Sequence, residues 1–170
     1  MNLNINDVAK IELFDLGKKI VSGYLPHLKV DNNNCVEMKI SEIMEVFGSH
    51  ISYSGNEKHT PFNFYFDIPS IEAKFNVNHE VEVNLTEKGL LILNKYNQKM
   101  GDLCKERNLE PFSVDVDENG YIKMQMGEIM KIFGPSVISS SNSRELQPFD
   151  FNFKIDERDL EPLTSIKKRQ

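Results

Sequence analysis

Two glutamates have the type and placement to support chemistry. Glu42 and Glu128 occupy the same position in two similar segments, VEMKISEIMEVFG (residues 36–48) and IKMQMGEIMKIFG (residues 122–134). A pair of carboxylates that the fold brings together could act as general acid and base or bind a metal ion. Such a site would need a second polar group beside each acid, and no other polar residue is kept in both segments.

A structural interpretation of the two glutamates is simpler. Each lies in the first turn of a predicted short helix, where a carboxylate interacts favourably with the helix dipole. It can also accept a hydrogen bond from the backbone amide that precedes the helix, and such contacts contribute about 0.3 to 1 kcal/mol at an exposed site. We therefore predict that Glu42 and Glu128 are helix-start residues.

Other polar residue types do not form a recognisable site. Residues 115–120, DVDENG, resemble the start of an EF-hand calcium loop, but Met126 stands where that loop needs a bidentate glutamate. The serine-rich residues 136–143 have no histidine downstream that could activate a nucleophile. The histidines fall in predicted turns or loops, without the spacing of zinc ligands. They are His27, His50, His59 and His79. We predict no catalytic residue, no cofactor and no metal site.

The composition limits the possible partners. A formal net charge of -6 disfavours direct binding to nucleic acid, which depends on lysine and arginine side chains at the phosphates. No apolar run approaches the ~18 residues of a membrane span, and the N-terminal MNLNINDVAK lacks the basic and apolar regions of a signal peptide. Cys35 and Cys104 do not occupy matching positions, so we expect reduced thiols in a cytoplasmic protein.

The two similar segments indicate a tandem duplication. Their shared positions are mainly apolar, and the conserved pairs are Met38 and Met124, Ile43 and Ile129, Met44 and Met130, Phe47 and Phe133, and Gly48 and Gly134. We predict that Phe47 and Phe133 lie in the core. Gly48 and Gly134 are predicted to end the short helices in a left-handed cap, where glycine has no steric penalty.

Long helices are predicted before each short one. The first should begin near Asn6 or Asp7 and run to about Leu25, and the second should run from a cap at Thr86 to about Asn108. The apolar stripe of the first helix is Ala9, Leu13, Leu16 and Ile20. The stripe of the second helix has the same spacing at numbers higher by 80, namely Gly89, Leu93, Tyr96 and Met100.

Each long helix is predicted to lead into a β-hairpin. In the second copy, residues 112–116 and 121–126 alternate apolar and polar residues on either side of Asn119-Gly120, a strong turn signal. The first copy has the corresponding segments 28–30 and 35–40.

A strand introduced by proline should close each copy, at residues 61–68 and 148–155, because phenylalanine occupies every second position. Residues 71–77 and 81–85 also alternate, which favours either a further hairpin or strands that lead into the second copy.

The predicted fold is α+β with mainly antiparallel sheet. Two β-α-β-β-α-β units, residues 1–70 and 81–157, should flank a connecting strand or linker at 71–80 and precede a C-terminal tail at 158–170. Units of this size gain from packing on each other, so we expect a pseudo-twofold pair.

The most divergent parts of the two copies are the polar loops that follow Gly48 and Gly134. Loops of this kind often carry function on a rigid scaffold. The candidate interaction residues are His50, Tyr53, Asn56, Glu57, His59, Ser139, Ser140, Asn142, Arg144 and Glu145.

Residues 83–134 resemble small uncharacterised accessory proteins of phages and prophages of Gram-positive bacteria. The resemblance rests on VNLTEKG at a helix start, followed by DENGYIKMQMGEIMKIFG. The first copy departs from this pattern, since it has Cys35 where the second has Tyr121. The resemblance implies expression in the cytoplasm of an infected bacterium, where small acidic proteins often bind host proteins.

Three functions remain open from the sequence. The leading hypothesis is a non-catalytic binding protein that inhibits a host nuclease or defence component through an acidic surface. The first alternative is a protein that binds or sequesters a small ligand such as a nucleotide. The second alternative is a hydrolase that uses Glu42 and Glu128. The oligomeric state is left open.

Overall fold

The computed structural model of the chain describes residues 1–51 and 60–163. Within these residues it contains nine strands and four α-helices. In chain order they are β1 (Asn2–Asn4), β2 (Val8–Glu12), α1 (Asp15–Tyr24), β3 (Cys35–Lys39), α2 (Ile40–Phe47), β4 (Tyr65–Ile68), β5 (Ala73–Asn76), β6 (Glu80–Asn84), α3 (Glu87–Glu106), β7 (Tyr121–Gln125), α4 (Met126–Phe133), β8 (Asn152–Ile155) and β9 (Leu160–Pro162).

The strands form two antiparallel sheets, as expected for an α+β protein. The first-half sheet has the order β3-β2-β4-β5-β9, and the second-half sheet has the order β1-β8-β6-β7. We call β2 to β5 with α1 and α2 the first half, and β6 to β8 with α3 and α4 the second half. Helices α2 and α4 pack against each other, α1 packs against α2, and α3 against α4.

The N-terminal strand lies in the sheet of the other half. Strand β1 pairs with β8, in the register Leu3 to Phe153, whereas β5 pairs with β4, in the register Phe75 to Phe66. Strand β5 falls within the segment 71–80 that the sequence indicated as a connection. Because β5 and β6 lie in different sheets, they do not form a hairpin, and they lead into the second half instead.

The predicted start of the first helix is wrong, because residues 8–12 form strand β2. Ala9 and Ile11 are buried, whereas Val8 and Glu12 are exposed, which is the period-two pattern of a strand. Strand β2 pairs along its whole length with β3. Helix α1 starts only at Asp15, and the three- and four-residue spacing from Ala9 onward was coincidental.

The numbering offset of 80 between the long helices is therefore also wrong. Gly17 in α1 and Gly89 in α3, which differ by 72 in number, have matching surroundings. A Cβ at Gly17 would collide with the carbonyl oxygen of Pro61, and a Cβ at Gly89 with that of Pro148. Helices α1 and α3 therefore correspond at Gly17 and Gly89, where each helix lies against the backbone that precedes β4 or β8.

The second long helix agrees with its prediction. Helix α3 begins after Thr86, whose Oγ1 accepts a hydrogen bond from the Gly89 amide at 3.2 Å. Gly89 and Leu93 are buried, while Tyr96 and Met100 further along the same stripe are half-buried. Since α3 has 20 residues and α1 has 10, α3 extends about 15 Å further.

The predicted hairpin strand at residues 112–116 does not form. These residues have no regular secondary structure, and β7 pairs with β6 instead. The Asn97 side chain holds this segment in place, because its Nδ2 donates to the Val114 carbonyl at 3.0 Å and its Oδ1 accepts from the Val114 amide at 2.9 Å. Each half therefore runs β-α-β-α-β with a leading strand, and not β-α-β-β-α-β.

The predicted turns before β3 and β7 are confirmed. Gly120 has a φ of 84° and Asn34 has a φ of 62°, so each of the two turns contains a residue in the left-handed conformation. Asp117 fixes the second turn by accepting hydrogen bonds from the amides of Asn119 at 2.9 Å and Tyr121 at 2.7 Å.

The predicted left-handed caps at Gly48 and Gly134 are wrong. Their φ angles are -53° and -49°, and both residues continue into short 3-10 helices. Glycine is required for another reason: a Cβ at Gly48 would collide with the Met130 carbonyl oxygen, and a Cβ at Gly134 with that of Met44. The two glycines allow α2 and α4 to approach closely. Ser41, whose residue type is typical of a helix cap, lies inside α2 and is buried.

The two repeated phenylalanines lie in one continuous core, as predicted. Phe47 and Phe133 have no exposed surface. Phe47 packs edge-on against Phe62 at a centroid distance of 5.5 Å, and Phe133 packs in the same way against Phe149 at 5.9 Å. None of the helices in the described ranges is long and apolar enough to span a membrane.

Candidate interaction surfaces

The loop after α4 is an ordered structure built around one buried amide. Gln147 is 1% exposed, and its Nε2 donates to the carbonyl oxygens of Ile138 at 2.7 Å and Ser141 at 3.0 Å. Its Oε1 accepts from the Ile138 amide at 3.2 Å. Because an unsatisfied amide in this position would be costly, these bonds fix the loop conformation.

Two side chains from other elements hold the same loop. Lys88, at the start of α3, donates through Nζ to the carbonyl oxygens of Ser136 and Leu146, both at 2.7 Å. Glu45 in α2 accepts a hydrogen bond from the Ser139 amide at 3.1 Å. The loop is therefore attached to both halves of the molecule.

The predicted interaction residues fall into two groups. In the loop after α4, Ser140, Asn142 and Glu145 are exposed. Arg144 forms an ion pair with Asp150, and its Nη2 donates to Asn84 Oδ1 at 3.2 Å. The half-buried Ser139 completes this group.

In the other loop only His50, half-buried in the 3-10 helix after α2, is described. Tyr53, Asn56, Glu57 and His59 lie outside the described residues.

Four exposed apolar side chains, on the loop after α4 and near the start of α3, were missed in the sequence. Leu146 is 51% exposed and Leu91 is 64% exposed, while Leu90 and Ile138 are each 37% exposed. Leu90 and Leu91 are consecutive on a helix whose buried stripe already contains Gly89. Three successive apolar or small residues cannot share one helix face, and that signal was available from the sequence.

The two repeated glutamates have different surroundings. Glu42 accepts a hydrogen bond from the Lys39 amide at 2.9 Å, which is the capping contact of a helix-start acid. Within the described parts of the chain, Glu128 makes no hydrogen bond. It lies near Tyr96, where burial raises the pKa of the phenol and the negative charge of Glu128 raises it further.

Glu128 also lines a cleft of about 450 Å³ beside β7. One wall of the cleft is the segment that carries Phe112 and Val114, and the other is the outer edge of β7. The first half has no described counterpart to this cleft wall, because its chain passes from α1 to β3 through fewer residues.

An acidic surface includes two carboxylates of this cleft, Asp115 and Glu128. It consists of five carboxylates on and beside the segment between α3 and β7, and we call it the acidic surface. Its residues are Glu110, Asp115, Asp117, Glu118 and Glu128. Neighbouring acids on β6 are paired, since Glu80 contacts Lys123 at 3.0 Å and Glu82 contacts Lys154 at 3.4 Å.

The described residues hold no group of three or more histidine, cysteine, aspartate or glutamate side chains placed to bind a metal ion. His79 contacts the Asp159 carboxylate at 3.4 Å. Cys35 and Cys104 are unpaired, and burial, together with the charge of Asp31, raises the pKa of the Cys35 thiol. This thiol is therefore protonated at neutral pH.

Comparison of the chain with protein-family models, curated proteins and solved structures finds no match. The resemblance to phage accessory proteins therefore stays a prediction.

Proposed function

We propose that the protein is a non-catalytic binding protein that acts through its acidic surface. The partner that fits this surface is a protein with a basic, nucleic-acid-binding cleft, such as a nuclease or defence component of a bacterial host. On this proposal the protein works in the bacterial cytoplasm and competes with nucleic acid for the basic cleft of its partner.

The observation that supports this proposal most is the concentration of unpaired carboxylates around β7. Glu110, Asp115, Glu118 and Glu128 form no ion pair within residues 1–51 and 60–163. A group of uncompensated charges of one sign attracts an oppositely charged partner, and it raises the association rate at low ionic strength. The segment that carries most of them, residues 107–120, is longer than the corresponding residues 25–34 of the first half.

We further propose that the chain is an internal duplication whose halves are related by an approximate twofold axis. The sheet orders correspond, with β5-β4-β2-β3 matching β1-β8-β6-β7. Backbone hydrogen bonds recur as well: the Ser41 amide donates to the Ile5 carbonyl at 2.7 Å, and the Gly127 amide donates to the Val77 carbonyl at 2.8 Å. On this proposal the acidic surface is an addition to one copy of a repeated scaffold.

The function can be tested with two variants that change net charge equally. The test variant combines Asp115→Asn, Glu118→Gln and Glu128→Gln, and the control combines three exposed acids elsewhere, Glu37→Gln, Glu72→Gln and Glu161→Gln. Each protein is added to a bacterial lysate, and cleavage of labelled DNA and RNA is measured at low and high salt.

We expect wild type and the control to inhibit cleavage at low salt and to lose inhibition as salt rises. The test variant should be about tenfold to a hundredfold weaker, since each of the three charges near a complementary surface contributes about 0.5 to 1 kcal/mol. Equal inhibition by the two variants, or no inhibition by wild type, would contradict the proposal.

A further inference from the structure

The outer edge of β7 carries backbone groups that no strand of the sheet uses. Strand β7 is the edge strand of the second-half sheet. At one end of the β6–β7 pair the Leu85 amide donates to the Gly120 carbonyl, and at the other end the Met126 amide donates to the His79 carbonyl. In an antiparallel pair such bonds alternate along the strand. The amide and carbonyl of Lys123 therefore point away from β6, toward the cleft.

A second free amide distinguishes β7 from the corresponding strand of the first half. Gln125 occupies the position before α4, as Lys39 does before α2. The Lys39 amide is bonded to Glu42 at 2.9 Å, whereas the Gln125 amide has no partner in the described structure. Glu128, which could have made that bond, faces the cleft instead.

The cleft lies between the edge of β7 and the segment that carries Phe112 and Val114. Its far wall is held by the two hydrogen bonds between Asn97 and the backbone of Val114. The open part of the β7 edge runs from Lys123 to Gln125, which is about 10 Å of extended chain. Phe112, on the far wall, is 42% exposed and offers an apolar contact.

The charges around the cleft favour a basic occupant. Asp115 and Glu128 line it without an ion-pair partner in the described ranges, while the Lys123 ammonium is already paired with Glu80. A strand that enters the cleft would direct alternate side chains to opposite sides. A segment that alternates basic and apolar residues therefore fits both the carboxylates and Phe112.

We propose that β7 binds an extended basic segment of the partner protein by strand addition in this cleft. The Lys123 amide and carbonyl and the Gln125 amide would make main-chain hydrogen bonds to it, and Asp115 and Glu128 would select lysine or arginine side chains. This inference rests on the proposed function, because it assigns a binding mode to the acidic surface.

The decisive variant is Gln125→Pro in the full chain. Proline removes the free amide and places its ring toward the cleft, while the φ of -58° and ψ of 138° at Gln125 suit proline. Met124 before it lies in a strand, a conformation that a following proline permits. Gln125→Ala is the matched control, because it removes the same side chain but keeps the amide.

The probe is a terminally blocked peptide of alternating lysine and valine, titrated into isotopically labelled protein and followed by amide chemical shifts and hydrogen exchange. We expect binding to wild type and Gln125→Ala, with slower exchange of the Lys123 amide. Gln125→Pro should bind about tenfold more weakly, because one hydrogen bond is lost and the ring obstructs the edge.

The remaining outcomes separate the two proposals. If Gln125→Pro binds the peptide like wild type while the triple variant of the acidic surface loses affinity, strand addition is wrong and the acidic surface stands. If both variants bind like wild type, the peptide binds elsewhere and both proposals fail. Absence of binding at about 1 mM peptide, the affinity expected of a few hydrogen bonds, also overturns strand addition.

Discussion

In the first half, α1 has 10 residues and the chain reaches β3 through residues 25–34; in the second, α3 has 20 residues and the chain reaches β7 through residues 107–120. The sheets that these helices cover have corresponding strand orders. The longer helix and the longer connection lie at the periphery, where extra backbone can be solvated without disturbing the core. The cleft and the acidic surface that the structure describes therefore lie in the second half.

The same comparison explains the repeated glutamate. Glu42 bonds the Lys39 amide at the end of β3, while Glu128 leaves the Gln125 amide free and faces the cleft. Identical residues at identical helix positions therefore make different contacts. The surroundings of a repeated residue, and not its repetition, decide which contacts it makes.

The strongest test of the correspondence is removal of the repeated rings. Phe47→Ala and Phe133→Ala should each lower the free energy of unfolding by about 3 to 5 kcal/mol, because both rings are fully buried. The two losses, measured by urea denaturation, should agree within about 1 kcal/mol if the sites are equivalent. A wild-type midpoint for either variant would place that ring outside the core.

A smaller loss is expected at the close approach of α2 and α4. Gly48→Ala and Gly134→Ala each place a methyl group against a backbone carbonyl of the other helix, and each should cost about 1 to 3 kcal/mol. Gly23→Ala and Gly101→Ala are matched controls, because a Cβ at either helical position meets no atom within 4 Å.

The controls should stabilise the protein slightly, by about 0.5 to 1 kcal/mol, since alanine favours a helix over glycine. Thermal denaturation of all four variants would test this contrast. Equal stability of Gly48→Ala and Gly23→Ala would contradict the close approach.

The smallest expected effect separates the two glutamates. Glu42→Gln should cost about 0.5 to 1 kcal/mol through the weakened capping bond, whereas Glu128→Gln should leave stability nearly unchanged. Glu128→Gln should instead lower the pKa of Tyr96, because the charge that disfavours tyrosinate is removed.

Ultraviolet titration of tyrosinate, with Glu42→Gln as the control, would measure this shift. An unchanged titration of Tyr96 in Glu128→Gln would show that the two side chains do not interact.

Local features of this protein could be predicted from its residues alone. Thr86 caps α3, Asn119-Gly120 forms the turn before β7, and the strand that contains Phe153 alternates as predicted. These features depend on residues within a few positions of one another, so propensity and periodicity suffice to predict them. Burial of Phe47 and Phe133 was predictable for the same reason.

Where two local patterns were possible, long-range contacts in the folded molecule selected one of them. Residues 8–12 fit a helical spacing, yet pairing with β3 makes them a strand. Residues 112–116 alternate as a strand would, yet β7 takes β6 as its partner and leaves them beside the cleft. Gly48 has the sequence of a helix cap, but the Met130 carbonyl of the other half explains why only glycine fits. Contacts between residues far apart in sequence made each of these choices, and they also set the acidic surface beside a free strand edge.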